Sequence, residues 1–136
     1  MNNIPTADKF PKTIEEVIIE PENTKYVSEN SILYEKDTKK LIMCYSKDTN
    51  INIQDGINIL GEYSFLQSTN AKIITLPDSV ISILDKAFYT EVKYEKIKIG
   101  KNVSYIHPLF KYMIFFGIVE IDKNNNYYTI ENNILY

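Results

Sequence analysis

The sequence predicts a repeat solenoid, mainly β with short helical turns, and three observations predict it. The first is a period: INIQDGINILGEYSF (51–65), ITLPDSVISILDKAF (74–88) and IKIGKNVSYIHPLF (97–110) begin 23 residues apart, at 51, 74 and 97. The second is a longer recurrence at an offset of 102. VIIEPENTKYVSENSILY (17–34) matches VEIDKNNNYYTIENNILY (119–136), identically at nine of eighteen positions. The third is the residue palette, rich in Ile and Tyr, which favour strands, and in Asn, which favours tight corners.

Each 23-residue unit opens on an alternating apolar pair: Ile51/Ile53, Ile74/Leu76 and Ile97/Ile99. Period-two alternation is the mark of a strand with one buried face. A turn follows, through Gln54-Asp55-Gly56, Pro77-Asp78-Ser79 or Gly100-Lys101-Asn102, then a β-branched residue, Ile57, Val80 or Val103. An aliphatic stands three residues later, Leu60, Ile83 or Ile106, and a Phe closes the unit at 65, 88 and, one residue early, 110. Val119 and Ile121 open a fourth unit, and Ala7-Asp8-Lys9-Phe10 reads as the tail of a preceding one.

A period of 23 is too short for a pair of helices and suits one short strand, a corner and one irregular or helical stretch. Two inward side chains per strand cannot form a core alone. Stacking joins them into continuous ladders, each buried aliphatic contributing about 1.5–3 kcal/mol. GEYSFL (61–66) and LDKAFY (84–89) are expected to form one or two helical turns, with Pro108 starting the third. SILYEKDTKKLIMCY reads as a hairpin, Ile32–Tyr34 and Leu41–Tyr45 flanking the polar loop 35–40. In the second copy of this element the chain reaches only the first strand, an edge of the kind that recruits other chains; Ile130, Ile134, Leu135 and Tyr136 are expected to be completed into a hairpin by further residues, to pair with an existing edge, or to mediate self-association.

The reading is of one solenoid domain over 1–136. It comprises a partial unit at 1–16, a strand-plus-hairpin element at 17–50, repeats at 51–73, 74–96 and 97–118, and a truncated second strand-hairpin element at 119–136.

At these residues the chain resembles the BspA-type leucine-rich repeat family. ITLPDSVISILDKAF is very similar to its unit I-x-I-P-x-S-V-x-x-I-G-x-x-A-F, and ENSILYEKDTKKLIMCY to its inserted element. The resemblance covers about Phe10 to Tyr136. It implies a curved, right-handed leucine-rich-repeat-like parallel sheet, and proteins displayed on the surface of bacteria and some mucosal protozoa, several of them adhesins. It implies no shared catalytic residues.

Composition narrows the function. A net charge of −3, from 15 basic and 18 acidic residues well mixed, gives no footprint for nucleic acid or an anionic membrane. No apolar run reaches the length of a transmembrane helix. The start, MNNIPTADKF, lacks a signal-peptide pattern, which fits a cytoplasmic protein or a segment of a longer exported chain. One cysteine, Cys44, and one histidine, His107, give no disulfide and no zinc spacing. Glu15, Glu16 and Asp48 lack calcium-loop spacing, and no Gly-rich phosphate loop occurs. No cofactor is expected. Cys44, within LIMCY, reads as a buried hydrophobe, and His107 as a structural histidine; a Cys44–His107 dyad ranks last.

Binding surfaces remain. The outward residues of the repeated strands, Asn52, Thr75, Lys98 and Glu120, are expected to form one column. Tyr89, Tyr94, Tyr105 and Tyr112 fall in the outer segments and are a second candidate surface, since Tyr is enriched at interfaces; packing over the Phe ladder is the bland alternative. The function expected is a non-enzymatic module binding a protein ligand, in adhesion or host-partner binding at a cell surface. The alternative is an intracellular structural or scaffold protein.

Overall fold

The alternating apolar pairs become strands stacked in parallel. The computed structural model describes residues 4–90, 92–110, 117–131 and 134–136, with the backbone alone for 131, 134 and 135. The 23-residue units contribute β4 (Asn50–Asn52), β6 (Ile73–Thr75), β8 (Lys96–Ile99) and β10 (Ile118–Ile121), a parallel four-stranded sheet in the order β10-β8-β6-β4. Each of the first three coils then places a second, two-residue strand opposite: β5 (Ile59–Leu60), β7 (Ser82–Ile83) and β9 (Tyr105–Ile106). These extend a sheet begun by β1 (Tyr26–Glu29), β2 (Ile32–Glu35) and β3 (Lys40–Cys44), in the order β1-β2-β3-β5-β7-β9. Finally β11 (Ile130–Glu131) and β12 (Ile134–Leu135) form an antiparallel pair.

Between the two sheets lie the predicted ladders. Ile51, Ile74 and Ile97 form one, Ile53, Leu76 and Ile99 a second, Ile57, Val80 and Val103 a third, and Leu60, Ile83 and Ile106 a fourth; all twelve are buried in one cluster. Phe65, Phe88 and Phe110 are buried beside them. Phe65 and Phe88 stack with centroids 5.0 Å apart and planes 4° apart, whereas Phe110, arriving one residue early, meets Phe88 edge-on at 5.8 Å and 75°. A smaller cluster of Ala7, Tyr26, Leu33, Met43 and Tyr45 lies under the hairpin element.

Corner side chains lock the coils together. Ser79 Oγ donates to the Ile57 carbonyl at 2.7 Å, Asn102 Nδ2 to Asp78 O at 2.9 Å, and Asn125 Nδ2 to Gly100 O and Val103 O at 3.0 and 3.1 Å. The three stand 23 residues apart (79, 102, 125), so each coil satisfies carbonyls that its predecessor's corner leaves open. Asn102, which matches a glycosylation triplet, is thus a rung of this ladder.

The expected helical turns are not helices. Residues 62–67 and 85–88 close as hydrogen-bonded turns, with Leu66 N–H donating to Tyr63 O and Tyr89 N–H to Lys86 O. The reason is backbone handedness: Tyr63 and Lys86, equivalent positions, have φ of 58° and 57°, and one left-handed residue ends a right-handed helix. Among the described residues the only complete helical element is a 3-10 turn at Ala7–Lys9. Pro108 and Leu109 form a turn, and the continuation at 111–116 lies outside the described residues.

The hairpin at Ile32–Tyr34 and Leu41–Tyr45 is present as β2 and β3 and has gained a third strand, β1. The β1–β2 connection is the two-residue turn Asn30-Ser31, with φ of 51° and 62°, a type I′ geometry that suits Asn-Gly. Ser31→Gly is expected to raise stability by about 1 kcal/mol, read from urea denaturation, because it removes the left-handed penalty at Ser31; no gain would mean the turn relaxes in solution.

Two further expectations are corrected. Val17–Ile19, which match the residues of β10, are not a strand. Ser28 Oγ donates to Val17 O at 2.6 Å, taking a carbonyl that a sheet neighbour would need. At the corresponding position 130 stands Ile, which has no hydroxyl, and there β10 forms. Second, Ile134-Leu135 do not stand as a lone strand: they pair with Ile130-Glu131.

Candidate functional site

Alternation along β4, β6, β8 and β10 puts every second side chain on the outer face of their sheet. The register sets Asn52 opposite Thr75, Thr75 opposite Lys98 and Lys98 opposite Glu120, so the four predicted residues stand in one row across all four strands. Asn52, Lys98 and Glu120 are exposed and Thr75 half-buried. A parallel row runs beside it through Asn50, Ile73, Lys96 and Ile118. Lys96 Nζ reaches diagonally to Glu120 Oε1 at 3.0 Å, tying the rows together. Lys98 has no ion-pair partner among the described residues.

Two grooves adjoin the first row. Asn52 lines one of about 340 Å³ with Asn30, Asp48 and Gln54. Thr75, Lys98 and Glu120 line another of about 590 Å³, together with Ile121, Tyr128 and Ile130. The result is a strip of mixed polarity, three of whose residues line the larger groove, an open surface suited to a polypeptide.

A family model for the BspA-type leucine-rich repeat region matches residues 38–136 in six copies. This chain belongs to the BspA-type leucine-rich repeat family. A crystal structure of a leucine-rich repeat protein from Eubacterium ventriosum is similar to it, at 20% identity and a TM-score of 0.35, over 79% of this chain. The chain spans 46% of that protein's length. No curated protein sequence matches.

Within this BspA-type solenoid the tyrosines divide. Tyr89 is 37% exposed and meets the Tyr63 ring edge-on at 5.5 Å, and Tyr105 on β9 is 43% exposed. Tyr94 is a correction: at 2% exposure it offers nothing to a partner. It packs edge-on against Phe88, its hydroxyl donates to Phe88 O, and burial pushes its phenol pKa far above the usual range. The signal was in the repeat frame, because Tyr94 falls 23 residues after Ala71, itself buried. Tyr112 lies outside the described residues. At the other candidate edge, Ile130 is half-buried and Tyr136 exposed.

The Cys44–His107 pairing does not form. Cys44 is on β3 and His107 follows β9, three strand spacings away across β5 and β7, roughly 14 Å. Cys44 is buried, and burial raises its thiol pKa. With its thiolate disfavoured and its sulfur buried, Cys44 is expected to react with iodoacetamide at pH 8 roughly tenfold or more slowly than in the urea-unfolded chain. Equal rates in a mass-spectrometric time course would contradict the burial. His107 Nδ1 accepts the Leu109 N–H at 3.2 Å and lies 3.5 Å from Asp85 Oδ1, a local capping role. Among the described residues no three His, Cys, Asp or Glu side chains are placed to hold a metal, and no helix is long and apolar enough to cross a membrane.

Sequence reasoning missed the clamp that explains much of the 102-residue recurrence. Asn23 Oδ1 accepts the N–H groups of Lys25 and Tyr26, and Tyr26 Oη accepts Ile4 N–H at 3.0 Å. In the second copy Asn125 Oδ1 accepts those of Tyr127 and Tyr128, and Tyr128 Oη accepts Ile106 N–H at 2.9 Å. The partners Ile4 and Ile106 are themselves 102 apart. Asn23, Tyr26, Asn125 and Tyr128 were visible as identities, but the tyrosine bonds to Ile4 and Ile106 each span 22 residues. Ile118, 54% exposed on the outer sheet face, was also missed; it is the only large apolar group on the outer face of β10.

Proposed function

We propose that this BspA-type repeat is a non-enzymatic protein-binding module that serves adhesion or host-partner binding at a bacterial cell surface. The observation that carries the reading is the in-register row Asn52–Thr75–Lys98–Glu120 with the grooves its residues line. A rigid, solvent-facing sheet holds those side chains without loop ordering, which lowers the entropic cost of binding an extended chain. Family membership supports the module reading, and the surface role comes from the family's general habit.

The test has two arms. The purified chain is passed over immobilised extracellular-matrix and serum proteins by surface plasmon resonance, alongside Lys98→Glu and Thr75→Arg variants. Binding to at least one protein is expected, weakened roughly tenfold or more by each substitution, while stability stays within about 0.5 kcal/mol of the parent. Full affinity in both variants would remove the row as the site. Protease shaving of intact producing cells addresses location: release of its peptides is expected, and detection only after lysis would overturn the surface role in favour of an internal scaffold.

A further inference from the structure

The hairpin element lengthens one sheet and leaves the facing sheet short. β1, β2 and β3 continue the sheet of β5, β7 and β9, whereas the sheet of β10, β8 and β6 stops at β4. The match to β10 makes Val17–Ile19 the chain's own candidate for the place beyond β4. Those residues are committed elsewhere: Val17 and Ile19 pack against the cluster of Tyr26, Leu33 and Met43, and Val17 O accepts the Ser28 hydroxyl. β4 is therefore an edge strand in the interior of the sequence, and among the described residues no strand pairs with its outer side.

The open backbone groups follow from the register. Ile73 N–H donates to Thr49 O at 3.0 Å and Ile53 N–H to Thr75 O at 3.1 Å. Bonding residues alternate along a parallel strand, so Thr49, Ile51 and Ile53 face β6, and Asn50 and Asn52 turn their N–H and C=O outward. Among the described residues these groups have no backbone partner. They open into the groove of about 340 Å³. Five consecutive residues, Asn50 to Gln54, line it, which places it along the strand's edge; a groove over one face would meet alternate residues. Its floor is apolar, since Ile32, Cys44, Ile51 and Ile53 are each at most 5% exposed. At one end Asn30 Nδ2 donates to Gln54 Oε1 at 2.8 Å, and Gln54 Nε2 to Glu29 Oε1 at 3.3 Å. At the other stands Asp48, the sole charged residue of the lining. Both ends thus carry a carboxylate, and no lysine lies between them.

We infer that the outer edge of β4 is a strand-acceptor site, and that its occupant is an extended segment of another protein, apolar at alternate residues and basic at its ends. Outward N–H and C=O groups on alternate residues match a strand's backbone, and the apolar floor beneath a polar rim matches its alternating side chains. The two carboxylates select cations. The same charges disfavour a second copy of this chain, because an antiparallel β4–β4 pair would bring Asp48 of each chain to the Glu29 end of the other. This docking mode goes beyond the side-chain row, from which it needs only the backbone of Asn52, so either can fail without the other.

The probe is a fluorescent peptide, Lys-Val-Thr-Val-Thr-Val-Lys, whose extended length matches the roughly 20 Å from position 48 to position 54. It is titrated with the 136-residue chain and followed by anisotropy, beside a counterpart with glutamate at both ends. Saturable binding of the basic peptide is expected, at least tenfold tighter than that of the acidic one. Asp48→Lys, at an exposed position, should cut that preference roughly tenfold. Amide hydrogen exchange of the parent chain reads the register and survives a poorly folded variant. Without peptide, Asn50 and Asn52 should exchange fast and Ile51 and Ile53 slowly; saturating basic peptide should slow Asn50 and Asn52 roughly tenfold or more and leave Ile51 unchanged. Equal binding of the two peptides, no binding at millimolar concentration, or protection that misses Asn50 and Asn52 would overturn the assignment. Slow exchange of these two amides in the free monomer would also overturn it, making this chain its own cover. The same slow exchange with a doubled molar mass by light scattering would make a second copy the occupant, and would overturn it equally.

Discussion

Phe88→Ala is expected to cost about 3–5 kcal/mol, which for a domain of ordinary stability removes a third or more of the total. Phe88 is the middle ring of the ladder. It stacks on Phe65, meets Phe110 edge-on, and meets Tyr94 edge-on at 6.2 Å. Truncation leaves a cavity bounded by three rings on three different coils, none of which can close it without moving its own coil. A repeat stack is held by interfaces between neighbours, so a void at the centre weakens two interfaces at once. Phe110→Ala, at the end of the ladder, should cost less. Urea denaturation with linear extrapolation reads both. A loss below about 1 kcal/mol at Phe88 would mean that the aromatic ladder covers the core rather than building it.

Gly61→Ala is expected to separate the hairpin element from the solenoid. A Cβ at Gly61 would stand 2.5 Å from the carbonyl oxygen of Leu41 and 3.0 Å from Lys40 Cε. The lysine end can swing away; the carbonyl cannot, because Gly61 N–H donates to that same oxygen at 2.9 Å. This contact lies at the β3–β5 seam, where Leu41 faces Leu60. Overpacking costs about 1–3 kcal/mol and the lost hydrogen bond about 1 kcal/mol more. Hydrogen exchange should show amides of β1–β3 opening before those of β6 and β8, an order absent from the parent. Gly56→Ala is the control, with open space around its Cβ and only a left-handed φ of 102° to strain. If both variants lose protection uniformly, the hairpin and solenoid unfold as one unit and the seam is not a boundary.

Much of the binding strip was legible in the chain because a sheet face follows from parity. Once Ile51, Ile74, Ile97 and Val119 point inward, Asn52, Thr75, Lys98 and Glu120 must point outward, and a constant period aligns them. Tyr94 shows where this reasoning stopped short. Its segment looks like an outer loop, yet it occupies the inward position that Ala71 holds one coil earlier. The grooves along the row were not legible, since their walls combine residues as distant as Asn30 with Asn52 and Thr75 with Ile130.

The sequence by itself determined the period, the apolar ladders, the Phe stack and the parity of the exposed row. These are local: a strand's inner and outer faces are set by alternation, and a repeat copies that choice from coil to coil. Only the tertiary structure decided which strands form at the ends of the stack, how deep Tyr94 lies, and how far Cys44 stands from His107. Those outcomes depend on which distant group takes a given backbone hydrogen bond. Ser28 takes the carbonyl of Val17 and no strand forms there; at 130 an isoleucine has no hydroxyl to compete, and β10 forms. In the same way β11 pairs with β12, a partnership that no spacing in the chain reveals.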